Sequence, residues 1–197
     1  MLVRQTAIDG VLVLEPDVFS DQRGCFFELI HTGRYRQYGI TAAFVQDNFS
    51  YSNRGVLRGL HFQSAKPQGK LMTVLRGAVL DIVVDVRTGS PSFGKHVAVE
   101  LNDKTRSQIW APRGFAHGFF VLSETADFFY KCDELYNPAD EHVLRWDDPQ
   151  LAIEWGCSSP LLSPRDRDGR TLSELSGLLP RYQDDPCELS SPAQRDR

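Results

Sequence analysis

The sequence predicts an all-β protein, a jelly-roll barrel or sandwich with a few short helices. Three observations carry that expectation. Short apolar or alternating runs recur along the chain, separated by turn signals about every 8–12 residues. Helical patterning is confined to residues 32–40 and 172–179. No internal repeat or linker divides the 197 residues, which suffice for one domain with a sizeable core.

The elements follow in order. Residues 11–14 are a short apolar run stopped by Glu15-Pro16, a strand end. Asp21-Gln22-Arg23-Gly24 reads as a turn. Residues 25–30 predict a strand with Phe26, Glu28 and Ile30 on one face and Phe27 and Leu29 on the other. Residues 32–40 predict a short helix ending at Gly39. Residues 44–52 are strand-like, with polar residues where a buried strand would carry valine. After the turn Asn53-Arg54-Gly55 comes a strand whose hairpin tip is expected at Pro67-Gln68-Gly69. Residues 70–75 and 78–86 predict strands joined at Arg76-Gly77, with Asp81, Val83 and Asp85 on one face of the second. A Gly/Ser/Pro turn spans residues 88–94, and strands at 96–101, 107–110, 115–122 and 127–132 complete the series. Residues 1–183 are expected to form one domain, and the polar, Pro/Ser-bearing tail 184–197 is expected to be disordered.

Composition narrows the function. Hydrophobic residues at 41% and charged residues at 24% are ordinary globular values. A net charge of -4 argues against a general nucleic-acid binder, so an anionic ligand would need local basic residues. Cys25, Cys132, Cys157 and Cys187 show no C-x-x-C spacing, which fits reduced thiols in a cytoplasmic protein. The first residues lack a signal-peptide core, and no apolar run approaches a membrane span.

The chemistry concentrates in residues 56–70, V-L-R-G-L-H-F-Q-S-A-K-P-Q-G-K. Arg58, His61 and Lys70 fall within one hairpin's length. An imidazole takes a proton at neutral pH. An ammonium stabilises an oxyanion. A guanidinium suits phosphate or a sugar hydroxyl. Together they are the parts needed to remove a proton beside a carbonyl and hold the resulting enolate. The plain alternative is a hairpin with solvated cations and a core histidine. Arg58 and His61 have opposite parity in a regular strand, and Gly59 between them is a natural place for a bulge that turns both inward.

Three further clusters add to this. In A-P-R-G-F-A-H-G-F (111–119), the spacing P-x-G-x-x-H resembles the second motif of the cupin superfamily. A metal-binding cupin also supplies H-x-H and a Glu; here Gln63 stands for the second His, and no Glu falls between Gln63 and Leu80. His61 and His117 alone are too few for a divalent site, so no metal is expected. In D-F-F-Y-K-C (127–132), Phe128, Tyr130 and Cys132 share a face. If that face is the interior, the Tyr130 hydroxyl needs a partner, although a core tyrosine bonded to backbone is the plain alternative. In L-S-P-R-D-R-D-G (162–169), either Asp166 or Asp168 could sit behind a catalytic histidine and stabilise its imidazolium.

The stretches V-F-S-D-Q-R-G-C-F-F-E (18–28), F-V-Q-D-N-F-S (44–50), V-L-R-G-L-H-F-Q (56–63), Q-G-K-L (68–71), W-A-P-R-G-F-A-H-G-F (110–119), F-Y-K-C (129–132) and L-S-P-R-D (162–166) together resemble the dTDP-4-dehydrorhamnose 3,5-epimerase family. The likeness runs in order from about residue 4 to 180. It implies a metal-free, cofactor-free, homodimeric cupin-fold isomerase acting on a dTDP-4-keto-6-deoxy sugar. It implies that His61 is the base supported by Asp166, Tyr130 the proton donor on the opposite face, and Lys70 the enolate stabiliser. Arg23, Phe26, Glu28, Gln46, Asp47, Asn48, Arg58, His117, Glu141 and Arg165 would bind the nucleotide sugar, Arg23 and its neighbours coming from the partner subunit. Cys25, Phe49 and Arg165 depart from the residues common in the family. The alternatives are a 3-epimerase or 5-epimerase of another dTDP-4-keto-deoxysugar pathway, a non-catalytic sugar-nucleotide binder, and a metal-dependent cupin oxygenase. Gln63 and the missing Glu disfavour the last.

Overall fold

A computed structural model describes residues 1–182; the expectation for the tail 184–197 lies outside the described residues. The elements in chain order are β1 (Leu2–Gln5), β2 (Leu12–Glu15), β3 (Phe19–Asp21), β4 (Gly24–Phe26), α1 (Thr32–Arg36), β5 (Gln46–Asn53), β6 (Leu57–Gln63), β7 (Lys70–Arg76), β8 (Ala78–Asp85), β9 (His96–Asn102), β10 (Gln108–Ala111), β11 (Phe115–Val121), β12 (Thr125–Cys132), β13 (Glu141–Val143) and α2 (Pro164–Arg167). One 3₁₀ turn, Ser176–Leu178, follows.

Two sheets face each other. One runs β1-β2-β10-β7-β12-β5, the other β13-β6-β11-β8-β9, and β3-β4 forms a separate ribbon. Every ladder between these strands is antiparallel. Alternation along each strand fills the space between the sheets: Met72 and Val74 from β7 and Phe128 from β12 meet Val79 and Val83 from β8 and Phe119 from β11. The other face of the five-stranded sheet is also buried. Leu57, Leu60, Phe62, Ile82 and Val84 pack there against Leu144, Trp155, Leu172 and Leu175 of the C-terminal segment. Burial on both faces explains why β8 reads A-V-L-D-I-V-V-D, a nearly continuous apolar run. Tyr35 of α1 and Ile40 cover Leu12, Leu14, Leu71 and Trp110 on the back of the six-stranded sheet.

The all-β jelly-roll reading therefore stands, with corrections to individual elements. Residues 67–69 are not a hairpin tip. β6 and β7 belong to different sheets, so residues 64–69 cross from one wall to the other. The same holds at Arg76-Gly77, where a glycine is required: φ is +83°, and a Cβ would lie 2.1 Å from the Thr125 carbonyl oxygen. The strand expected at 25–30 stops at Phe26, because its ribbon pairs only with β3. Beyond it the Leu29 carbonyl accepts side-chain bonds from Tyr35 and Gln108 instead of a ladder. The helix expected over 32–40 is one short piece, and the segment 172–179 keeps only the 3₁₀ turn.

Candidate active site

The site begins with the bulge. His61 pairs with His117 and Arg58 with Phe119, so two steps along β11 match three along β6. The extra residue falls at Gly59, whose φ is +110°. A Cβ at Gly59 would lie 2.6 Å from the Gly118 Cα and 2.6 Å from the His117 carbonyl oxygen. The bulge resets the alternation: Arg58 and His61 both face the interior, while Leu57, Leu60 and Phe62 face the outer cluster.

They open into a cavity of about 410 Å³ between the sheets. Its walls include His61, Lys70, Tyr130 and Asp166, together with Gln46, Asn48, Arg58, His117, Glu141 and Arg165. His61 and Tyr130 stand on facing walls, because β6 is in one sheet and β12 in the other.

Asp166 is delivered by its local sequence. Ser163 caps α2, Pro164 holds its first turn, and the Asp166 amide donates to the Ser163 hydroxyl at 3.1 Å. The Ser163 hydroxyl in turn donates to Asp166 Oδ2 at 2.8 Å. Asp166 Oδ1 lies 2.6 Å from His61 Nε2. Burial raises the Asp166 pKa, but the His61 bond and charge and the Ser163 hydroxyl outweigh it, so the carboxyl sits below the ordinary range. An ionised Asp166 accepts the Nε2 proton, which leaves the Nδ1 lone pair of His61 as the basic atom. Asp168, the other candidate, is exposed at the C-terminal end of α2.

Lys70 starts β7 between Ala111 and Cys132 and is 8% exposed. Burial lowers its pKa, partly opposed by Cys132, Glu141 and Asp81. Tyr130, opposite Asn48 on β5, has its phenol pushed up to about 12, chiefly by burial, so it keeps its proton at neutral pH. Arg58 donates from Nε to the Ser52 hydroxyl at 3.0 Å, which fixes the guanidinium against the β5 wall.

Several site features escaped the sequence reading. Asp81, fully buried, lies 2.8 Å from His117 Nε2, making a second carboxylate–imidazole pair. The other carboxylate on that face, Asp85, is taken by Arg87, Ser90 and Ser92. Tyr136 also lines the cavity; its hydroxyl donates to Glu141 at 2.8 Å, and Arg165 pairs with Glu141. An aromatic residue closely following F-Y-K-C was the only available signal for Tyr136. Gln68, Phe49, Ser50, Phe119 and Ser163 complete the lining. Among the described residues, no group of three or more His, Cys, Asp or Glu side chains is arranged to hold a metal ion.

Four expected binding residues lie elsewhere in this protomer. Asp47 points to the outer face of β5, because alternation there sends Gln46, Asn48 and Ser50 inward, and it pairs with Lys131. Arg23 pairs with Asp21 on the exposed β3-β4 ribbon, Phe26 is 69% exposed there, and Glu28 bridges Arg34 at 2.7 Å.

A double antiparallel sheet enclosing one polar cavity, with a carboxylate-backed imidazole facing a protonated phenol, is the architecture of a cupin-type barrel equipped for acid–base chemistry. The chain belongs to the dTDP-4-dehydrorhamnose 3,5-epimerase family, whose sequence model matches residues 5–174. The family's enzymes are carbohydrate isomerases. The chain is 47% identical over 181 residues to the dTDP-4-dehydrorhamnose 3,5-epimerase of Escherichia coli, covering 90% of this chain and 98% of that protein. It is 45% identical to the enzyme of that name from Neisseria gonorrhoeae, over 95% of this chain but 57% of that longer protein. The crystal structure of dTDP-6-deoxy-D-glucose-3,5-epimerase from Legionella pneumophila, in complex with dTDP-4-keto-L-rhamnose, superposes with a TM-score of 0.90 at 49% identity, covering 92% of this chain and 98% of that one. A 3'-monoepimerase from Streptomyces bikiniensis, bound to dTDP-quinovose, superposes at 0.84 with 38% identity, covering 90% and 92%.

Proposed function

We propose that this chain inverts C3 and C5 of dTDP-4-dehydro-6-deoxy-D-glucose, giving dTDP-4-dehydro-L-rhamnose. The observation that carries this reading is the His61–Asp166 pair facing Tyr130 across one cavity. The C4 ketone acidifies the protons on both neighbouring carbons. His61 Nδ1 takes one of them, Asp166 stabilises the imidazolium, and the electron pair moves onto O4. Lys70 holds that enolate oxygen. Tyr130 then delivers its proton to the other face of the carbon, and the configuration inverts. One inversion leaves His61 protonated and Tyr130 as phenolate, so solvent must reset the pair before the second carbon reacts. Acid–base catalysis contributes about 10²–10⁴-fold, so enolate stabilisation is a necessary further contribution. None of these steps needs a metal or cofactor.

Arg58 and Arg165 supply positive charge and donors for the diphosphate and sugar, and His117 lines the same cavity. Arg23, Phe26 and Glu28 serve a second copy of the chain in this reading. The apolar side chains Phe19, Phe26, Phe49 and Tyr51, all exposed on the ribbon and on β5, support a homodimer. The thiols of Cys25, Cys132 and Cys157, unpaired among the described residues, support a reducing compartment, the cytoplasm in this reading. The alternative is a narrower activity, since a dTDP-4-dehydrorhamnose 3-epimerase from Streptomyces niveus is 41% identical over 92% of this chain. The test is incubation with dTDP-4-dehydro-6-deoxy-D-glucose in D₂O. One deuteron at C3 and one at C5, with L-rhamno product, is the expected result. Inversion with deuterium at one carbon only means a mono-epimerase. No incorporation at either carbon refutes the reading.

A further inference from the structure

The inward face of β5 is a polar stripe: Gln46, Asn48, Ser50 and Ser52. Three of the four have protein partners. Gln46 donates to Asn48 Oδ1 at 2.9 Å and accepts from the Tyr136 amide at 2.8 Å. Asn48 donates to Cys132 Sγ at 3.7 Å. Ser52 accepts from Arg58. Ser50 is the exception. Its Oγ is one of two buried side-chain polar atoms without a partner among the described residues, the other being Asp81 Oδ1. Yet Ser50 lines the cavity. A buried hydroxyl without a partner is costly, and at the wall of a cavity the molecule that fills the cavity is the partner within reach.

Its position selects which part of the ligand. Ser50 pairs across the ladder with Phe128, and Asn48 with Tyr130, so Ser50 is a diagonal neighbour of Tyr130. Phe128 is fully buried and stacks on both His117 and Phe119. Tyr136 and Arg165, by contrast, are exposed. Ser50 therefore meets what reaches deepest, the sugar ring, and does so on the proton-donor wall. The C4 oxygen belongs to Lys70 in the mechanism above. Inversion swings the C3 hydroxyl to the other face of the ring. A hydroxyl that anchors the ring through both inversions sits on a carbon that does not invert.

We infer that Ser50 Oγ hydrogen-bonds the C2 hydroxyl of the substrate sugar and holds the ring in register against Tyr130. This rests on the proposed epimerase reading. The test compares wild type and Ser50→Ala on dTDP, on dTDP-4-dehydro-6-deoxy-D-glucose and on its 2-deoxy analogue. Ser50→Ala should bind dTDP as wild type does but lose about 5- to 100-fold in kcat/KM on the full substrate, the range for one unpaired buried partner. On the 2-deoxy analogue the two proteins should perform alike. The ligand-free melting temperature of Ser50→Ala should be equal to or above that of wild type, because the lost hydroxyl bonds nothing in the fold. A lower ligand-free melting temperature, equal kcat/KM on the full substrate, or a loss that persists on the 2-deoxy analogue overturns the assignment. Failure of wild type itself to turn over the full substrate refutes the epimerase reading instead.

Discussion

The bulge at Gly59 aims the catalytic histidine, and Gly59→Ala tests that claim. A Cβ there would sit 2.6 Å from the Gly118 Cα and the His117 carbonyl oxygen. Ordinary contact begins near 3.4 Å, so β6 and β11 must part by about 0.8 Å. The φ of +110° adds backbone strain, because L side chains rarely adopt it. Strain of this kind costs roughly 1–3 kcal/mol and overpacking another 1–3, together about 2–6 kcal/mol. For a domain of this size, the melting temperature should fall by about 4–24 °C. Because His61 and His117 flank the contact, their displacement should also lower kcat/KM by about 100-fold. Gly55→Ala is the control. Its φ is +80°, but nothing lies within 4 Å of its Cβ, so it should cost a smaller amount of stability and leave kcat/KM unchanged. The assays are thermal melting and epimerisation in D₂O. If Gly59→Ala melts no lower than Gly55→Ala and keeps kcat/KM within about twofold, the strand bulge does not aim His61 and the reasoning fails.

Tyr130→Phe removes only the phenol oxygen, so the enolate should still form; deuterium should enter C3 with retention while inversion drops by about 10²–10⁴-fold, and intact inversion at both carbons would dismiss Tyr130 as the donor. Burial lowers the Lys70 pKa, so the alkaline fall in kcat should begin at a lower pH than an ordinary lysine would give, with the limb absent in Lys70→Met. The unfolded chain binds the extra proton between that lowered value and the ordinary lysine value. Wild-type stability should therefore rise with pH across that window, and Lys70→Met should remove the rise in urea titrations. Turnover should survive EDTA, since His61 and His117 are each engaged by a carboxylate; a loss that zinc or iron restores would overturn the metal-free mechanism.

The sequence by itself determined most strands of the two sheets and much of the chemistry, while β1, β3 and β13 carried no strand signal that was read. Period-two alternation is a local property, so the shared face of Phe128, Tyr130 and Cys132 and that of Asp81, Val83 and Asp85 were both legible. So was the need for Gly59, because Arg58 and His61 differ in parity and only a bulge reconciles them. The spacing within residues 56–70 brought His61 and Lys70 together, and the resemblance singled out Tyr130 and Asp166. The tertiary structure decided what lies opposite what. β6 and β7 read as one hairpin, yet they pair in different sheets, which puts His61 on one wall and Lys70 with Tyr130 on the other. His61 meets Asp166 across 105 residues and His117 meets Asp81 across 36. No local pattern encodes such pairings. They follow from which faces must be buried together, and a strand's partner is chosen by that long-range burial and not by its own composition. The same competition turned Asp47 outward while Asn48 and Ser50 faced the cavity: once Tyr130 and Phe128 point inward, the register of β5 against β12 leaves no other choice.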